Sequence, residues 1–203
     1  MKSIAFLTNY TEYQKSFSPI IIANDQIHMF LKYGYKPLVI ASDGFIPRDY
    51  FAKCDLKFLP SVEKSDSYKN DANFDSDIKM LAETMEKHLK DVDVVISHDL
   101  IYLPDYTKYN LAARMVAEKL PKLRWLHFIH SATPPDIIGR AREIYGDKYF
   151  EIVGKPFPNS FIAFPNVYDI PRVAKNFGFA ESDVKHIPHP IDYCEYNKFH
   201  DIS

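Results

Sequence analysis

Two pairs of polar residues follow apolar runs of the kind that form buried strands. His98 and Asp99 come directly after "DVVIS", and His130 and Ser131 end the run "RWLHFIHS". An imidazole titrates near neutral pH and can take a proton from a hydroxyl group, and a carboxylate can do the same or hold the hydroxyl. His130 and Asp99 are therefore candidates for proton transfer. The alternatives are a strand-end histidine bonded to a backbone carbonyl, and a carboxylate that caps a helix or is solvated.

The alternation of side chains along a strand separates these residues by face. His98 should point away from Asp99, and His127 should point away from His130, which follows three residues later. We expect His127 to be structural. His98 stays a candidate for contact with a substrate.

Apolar runs of strand length alternate with amphipathic runs of helix length along the whole chain. Strands are predicted at Ser3–Thr8, Lys36–Ser42, Asp55–Pro60, Asp93–Asp99, Arg124–Ser131, Ser160–Asn166 and Val184–Ile187. The first helix is predicted from an N-cap at Ser18, with Pro19 at the first helical position, to Gly34. Further helices are predicted around Phe74–Met85, Thr107–Leu120 and Asp169–Phe177.

This alternation predicts an α/β fold, a Rossmann-like three-layer sandwich with a mostly parallel sheet. We expect one domain over residues 1–190, with an irregular insert at 132–158 that holds a short helix around Ile137–Tyr145. Residues 191–203 are expected to start an interdomain linker or tail, because Pro188 and Pro190 favour a rigid, extended exit. Ligands of such folds gather at the carboxyl ends of the strands, where the polar pairs lie.

Composition narrows the class of protein. With Lys+Arg 25 against Asp+Glu 27, the chain of 203 residues has a formal charge of -2 and no basic footprint for nucleic acid. Peripheral membrane association is left open. Cys54 and Cys194 have no redox or metal spacing, and the N-terminus has no signal-peptide core, so we expect a cytoplasmic protein.

Several familiar motifs are absent from the sequence. No glycine lies between Thr8 and Pro19, which argues against a nicotinamide or flavin domain, and no Walker loop, HExxH or GxSxG occurs. His186 and His189 flank Pro188 but should fall on opposite faces of an extended segment. We therefore expect no metal and no cofactor.

Four segments, in their order along the chain, resemble the N-terminal domain of GT-B nucleotide-sugar glycosyltransferases, of the large retaining, group 1 type. The first ends in Leu31-Lys32-Tyr33-Gly34-Tyr35, like the helix-strand junction of that family, and "DVDVVISHD" resembles a following strand. "WLHFIHSATPP" resembles the strand whose final histidine lies over the sugar-transfer site in several members. "FPNVYDIPRVAKNFGFAESDVKHIPHPID" resembles the last unit of the domain, with His189-Pro190 in place of Asn-Gly.

The resemblance implies one half of a GT-B fold and a glycosyltransferase that moves a sugar from a nucleotide-sugar donor to an acceptor hydroxyl. It implies that a C-terminal donor-binding domain or partner chain holds the donor, and that this chain alone is inactive. The alternatives are a non-catalytic Rossmann-like binding or assembly subunit, and a nucleotide-sugar epimerase-like enzyme.

Site residues follow from the strand ends and the resemblance together. His130 and Asp99 are the predicted catalytic residues. The predicted substrate contacts are Ser16, Ser18, His98, Ser131, Asn166 and His189. For Ser18 and Asn166, capping of a helix is the competing interpretation.

Overall fold

The computed structural model describes residues 2–62, 71–137 and 141–190. Its strands confirm the predicted alternation and lie within or at the predicted segments. They are β1 Ile4–Leu7, β2 Leu38–Ser42, β3 Asp55–Leu59, β4 Val94–His98, β5 Arg124–Phe128, β6 Ser160–Phe164 and β7 Val184–His186.

The seven strands form one sheet in the order β3-β2-β1-β4-β5-β6-β7, and every neighbouring pair is parallel. The chain builds the sheet outward from β1 in one direction and then, from β4, in the other. The order therefore reverses between β1 and β4, which leaves a crevice at their carboxyl ends where ligands of such sheets bind.

Helices cover both faces of the sheet and give the predicted three-layer sandwich. They are α1 Ser18–Lys32, α2 Phe74–Leu89, α3 Thr107–Lys119, α4 Ala141–Val153 and α5 Ile170–Phe177. On one face, Ile20, Ala23 and Ile27 of α1 pack against the β1, β2 and β4 side chains Phe6, Val39 and Ile96. On the other face, the apolar stripes of α2, α3 and α5 share one core with the opposite side of the sheet.

The start of α1 corrects one prediction. Ser18 is the first residue of the helix, and Phe17 occupies the capping position without any side-chain hydrogen bond to the helix. The carbonyl of Phe17 accepts hydrogen bonds from the N–H groups of Ile20 and Ile21, at 3.0 and 3.4 Å. Pro19 falls in the first turn, where its missing N–H costs nothing. The helix thus begins one residue earlier than it would with Ser18 as its cap.

The insert at 132–158 contains a longer helix than the sequence predicted. Helix α4 runs from Ala141 to Val153 and is interrupted at Gly146, whose φ of 76° lies in the left-handed region. The insert also passes close to the end of α5, which explains why residue 178 is a glycine. A Cβ on Gly178 would lie 2.5 Å from the carbonyl oxygen of Gly154, and the φ of Gly178 is 71°.

The predicted linker at 191–203, including Asp192 and Cys194, lies outside the described residues. Within the described ranges, no helix combines the length and the apolar character that crossing a bilayer requires.

One ion cluster joins α2 and α3. Lys108 is 4% exposed, and its Nζ lies 2.7 Å from Asp71 Oδ2 and 2.5 Å from Asp77 Oδ2. Burial by itself would lower the pKa of Lys108, but the hydrogen bonds and charges of the two carboxylates outweigh it and raise the pKa. The cation is therefore held charged between the helices.

We predict that Lys108→Met destabilises the protein by about 3 kcal/mol, because it leaves two carboxylates together without their buried cation. The control is Lys119→Met on the same helix, which removes an exposed pair with Glu86 and should cost far less, because solvent screens that pair. Urea denaturation of the two variants measures both values. Equal losses in the two variants would contradict the importance of the buried cluster.

Candidate active site

Three histidines from three strand ends meet at the carboxyl edge of the sheet. His98 ends β4, His130 follows β5, and His189 follows β7. Nδ1 of His98 lies 3.2 Å from Nε2 of His130, and Nδ1 of His130 lies 3.1 Å from Nε2 of His189. The structure therefore joins three residues that the sequence proposed separately into one hydrogen-bonded chain, called here the histidine chain.

The histidine chain runs from the protein interior to the surface. His98 is 1% exposed and stacks between Phe6 and Phe128, with ring centroids 6.5 and 5.4 Å away, whereas His189 is exposed. Burial, together with the neighbouring histidines, lowers the pKa of His98 to about 3 and that of His130 to about 4. Burial also lowers the pKa of His189. All three rings are thus neutral at pH 7.

Asp99 lies beside the histidine chain in a turn. Its φ is 57°, in the left-handed region that aspartate tolerates better than most residues. Its N–H donates to the carbonyl of Phe128 at 2.9 Å, and its Oδ1 accepts from the N–H of His130 at 3.2 Å. Asp99 therefore fixes the backbone of His130 directly.

Burial sets the charge of Asp99. The side chain is 4% exposed, and burial raises its pKa to about 7, although hydrogen bonds from the His130 backbone and the Tyr102 side chain act in the opposite direction. A carboxyl group with a pKa near 7 holds and releases a proton at physiological pH, which suits a general acid or base.

Tyrosines surround Asp99 on its other side. Burial is the main cause that raises the pKa values of Tyr10, Tyr102 and Tyr106, and the charge of Asp99 adds to each. Among the described residues, the hydroxyl of Tyr10 is buried without a hydrogen-bond partner. The three phenols therefore keep their protons and give Asp99 a low-polarity surrounding.

A cavity of about 300 Å³ opens next to these tyrosines. It lies between the loop after β1 and the loop after β4, which is where the strand order reverses. Its lining includes Asn9, Thr11, Glu12, Phe17, Leu103 and Tyr106. The cavity and Asp99 thus share a wall formed by Tyr10 and Tyr106.

The remaining predicted contacts lie on neighbouring loops. Ser16 is exposed in the loop after β1, and Ser18 begins α1. Ser131 follows His130, and its Oγ accepts from the N–H of Thr133 at 3.0 Å. Asn166 caps the turn after β6, because its Oδ1 accepts from the N–H of Tyr168 at 3.1 Å. The capping interpretation of Asn166 is therefore confirmed, and a substrate contact by it stays a prediction.

Two other histidines lie outside the histidine chain. His127 is fully buried on the opposite face of β5, where its Nδ1 lies 2.7 Å from Ser97 Oγ, as its structural interpretation predicts. His186 uses Nε2 to contact the carbonyl of Pro165 at 3.1 Å. Across residues 2–62, 71–137 and 141–190, no group of three or more His, Cys, Asp or Glu side chains is arranged to hold a metal ion.

Sequence reasoning missed Gln26 and the roles of the tyrosines around Asp99. Gln26 is 6% exposed on α1, and its Oε1 lies 3.1 Å from Nε2 of His98. It falls on the apolar stripe that Ala23, Ile27 and Phe30 mark in the sequence. A polar residue on that stripe should have a buried partner, and this signal was available from the sequence alone.

No model of a known protein family matches the sequence, and no curated protein matches it. Solved structures do match the fold. A glycosyltransferase from Rickettsia africae ESF-5 aligns with a TM-score of 0.55 and 16% identity, over 100% of this chain and 46% of that one. The lipopolysaccharide outer core galactosyltransferase WaaB, in its apo form, aligns with a TM-score of 0.56 and 14% identity. The alignment covers 95% of this chain and 46% of that one.

A third structure contains a nucleotide. It is the glycosyltransferase SsfS6 from Streptomyces sp. SF2575, complexed with thymidine diphosphate, and it aligns with a TM-score of 0.50 and 13% identity over 80% of this chain and 49% of that one. The chain spans about half the length of the solved structures it matches. It has the Rossmann-like fold of one half of GT-B glycosyltransferases.

Proposed function

We propose that this chain is the acceptor-side domain of a glycosyltransferase that moves a sugar from a nucleotide-sugar donor to an acceptor hydroxyl. The observation that carries the proposal is the meeting of Asp99 with His130 at the carboxyl ends of β4 and β5, beside the reversal of strand order. A titratable carboxyl group and a chain of neutral imidazoles lie there, and an open cavity lined by Tyr10 and Tyr106 lies between the loops after β1 and β4. The half-length match to glycosyltransferase folds supports the same interpretation.

The chemistry requires one bond to form and one to break. The acceptor oxygen bonds to the anomeric carbon of the sugar, and the bond from that carbon to the diphosphate oxygen breaks, with its electron pair leaving on the nucleoside diphosphate. The hydroxyl proton must go to a base. In this proposal the cluster of Asp99 and the histidine chain receives it, since these groups are neutral or half ionised near pH 7.

The donor is a substrate and is held mainly by a second domain or partner chain. Two observations support this part of the proposal. The matched glycosyltransferases are about twice as long as this chain, and one of them was solved with thymidine diphosphate. We assign substrate contact to Ser16 and Ser18, in the loop after β1 and at the start of α1, and to Ser131 and Asn166, which follow β5 and β6.

We predict that His130→Ala and Asp99→Ala each lower sugar transfer by the intact protein about 10²–10⁴-fold, because each removes part of the proton-accepting cluster. Release of nucleoside diphosphate from a panel of nucleotide sugars, with and without hydroxyl acceptors, measures the rate. The matched control is His186→Ala, a histidine bonded to a backbone carbonyl away from the cluster, and it should keep the wild-type rate.

Unchanged transfer in both cluster variants would contradict the catalytic assignment and favour a binding or assembly subunit. Isomerised nucleotide sugar without transfer would point to an epimerase-like enzyme. Calorimetry tests the location of the donor site: submillimolar binding of a nucleotide sugar by this chain alone would contradict a donor site on a second domain.

The pKa of Asp99 leads to a separate prediction on stability. Because folding raises this pKa from 3.8 to about 7, the folded protein keeps a proton that the unfolded chain loses between those pH values. The resulting stabilisation is full below pH 3.8 and is lost as the pH rises through 7. Asparagine does not titrate and tolerates the same positive φ.

Asp99→Asn should therefore gain stability relative to the wild type as the pH rises from 4 to 7. We expect a relative gain on the order of 1 kcal/mol per pH unit within that window. Urea denaturation at several pH values measures it, and the comparison at the lowest pH is the internal control. A difference that stays constant across the range would show that Asp99 has an ordinary pKa.

A further inference from the structure

Gln26 closes the inner end of the histidine chain. It lies on α1 and is 6% exposed, and its Oε1 is 3.1 Å from Nε2 of His98. A carbonyl oxygen accepts hydrogen bonds and cannot donate them. Nε2 of His98 must therefore carry the hydrogen of that contact.

The hydrogen position on His98 determines the hydrogen position on each following ring of the histidine chain. A neutral imidazole has one N–H and one lone pair, so Nδ1 of His98 is an acceptor and takes a hydrogen bond from Nε2–H of His130. Nδ1 of His130 is then an acceptor in turn and takes one from Nε2–H of His189. All three rings have the same tautomer, and Nδ1 of His189 carries the lone pair at the outer end.

Both ring nitrogens of His130 are used inside the chain. The ring nitrogen that can accept a hydrogen bond from outside is Nδ1 of His189, on an exposed side chain. We propose that Gln26 is a positioning residue, which acts through His98 and His130 to present the lone pair of His189 Nδ1 to the acceptor hydroxyl. The part of this inference that concerns the hydroxyl rests on the proposed function.

The direction of the chain depends on Gln26 because the ring at the inner end is enclosed by apolar groups. His98 stacks between Phe6 and Phe128, and Gln26 supplies the oxygen at its Nε2. Without that oxygen, a hydrogen on Nε2 would be buried unpaired, and the opposite tautomer leaves a lone pair there instead, which protein interiors tolerate more often than an orphaned N–H. His98 would then donate from Nδ1, His130 would donate from Nδ1 to His189, and His189 would present an N–H outward.

Nitrogen chemical shifts of the imidazoles, from ¹⁵N-labelled chain at neutral pH, distinguish a protonated ring nitrogen from one with a lone pair. The wild type should show hydrogen on Nε2 of His98, His130 and His189. In Gln26→Leu the hydrogen should shift to Nδ1 on all three rings, including His189. In Gln26→Glu, which keeps an oxygen acceptor at this position, the wild-type pattern should persist.

Tautomers are read without any substrate, so this test is independent of sugar transfer. If no sugar transfer is found but the tautomers are as expected, the glycosyltransferase assignment fails and the positioning role of Gln26 stands. Hydrogen on Nδ1 of any of the three rings in the wild type would overturn the inference, whether or not the variants fold. An unchanged tautomer at His189 in folded Gln26→Leu would overturn it as well.

Discussion

A neutral imidazole can donate one hydrogen bond and accept one, and this limit orders the whole site. Burial keeps His98 and His130 neutral, so they form a chain in which each ring fixes the tautomer of the next. The same burial keeps a proton on Asp99 up to a pH of about 7. Asp99 and the histidine chain meet at the backbone of His130, which couples the carboxyl group to the position of the middle ring.

The parallel sheet makes this meeting unavoidable. Residues that end β4, β5 and β7 lie far apart in sequence but share one edge, because all seven strands run in the same direction. The reversal between β1 and β4 opens the cavity beside Tyr10 and Tyr106, and α1 brings Gln26 to the innermost ring. Ordinary core packing on both faces thus holds a polar cluster whose members would not otherwise stay neutral and paired.

Periodicity was enough to predict the sheet, most helices and the edge at which the polar residues gather. It could not show which of them touch, because contacts between strand ends depend on the strand order. Ser18 was a sound cap by residue type, yet the backbone of Phe17 begins the helix, since capping preference is weaker than the geometry of the preceding loop. Helix α4 was underestimated because Gly146 breaks its apolar pattern. Gln26 was visible as a polar residue on an apolar stripe, but its partner was not.

We propose that a sugar is transferred to a hydroxyl at this edge of the sheet. A crystal structure of the intact protein with a nucleoside diphosphate and a hydroxyl acceptor would locate the transfer site. We expect the acceptor hydroxyl within hydrogen-bonding distance of Nδ1 of His189, with the diphosphate across the cleft from Asp99. An acceptor bound away from the carboxyl ends of β4, β5 and β7 would rule this site out.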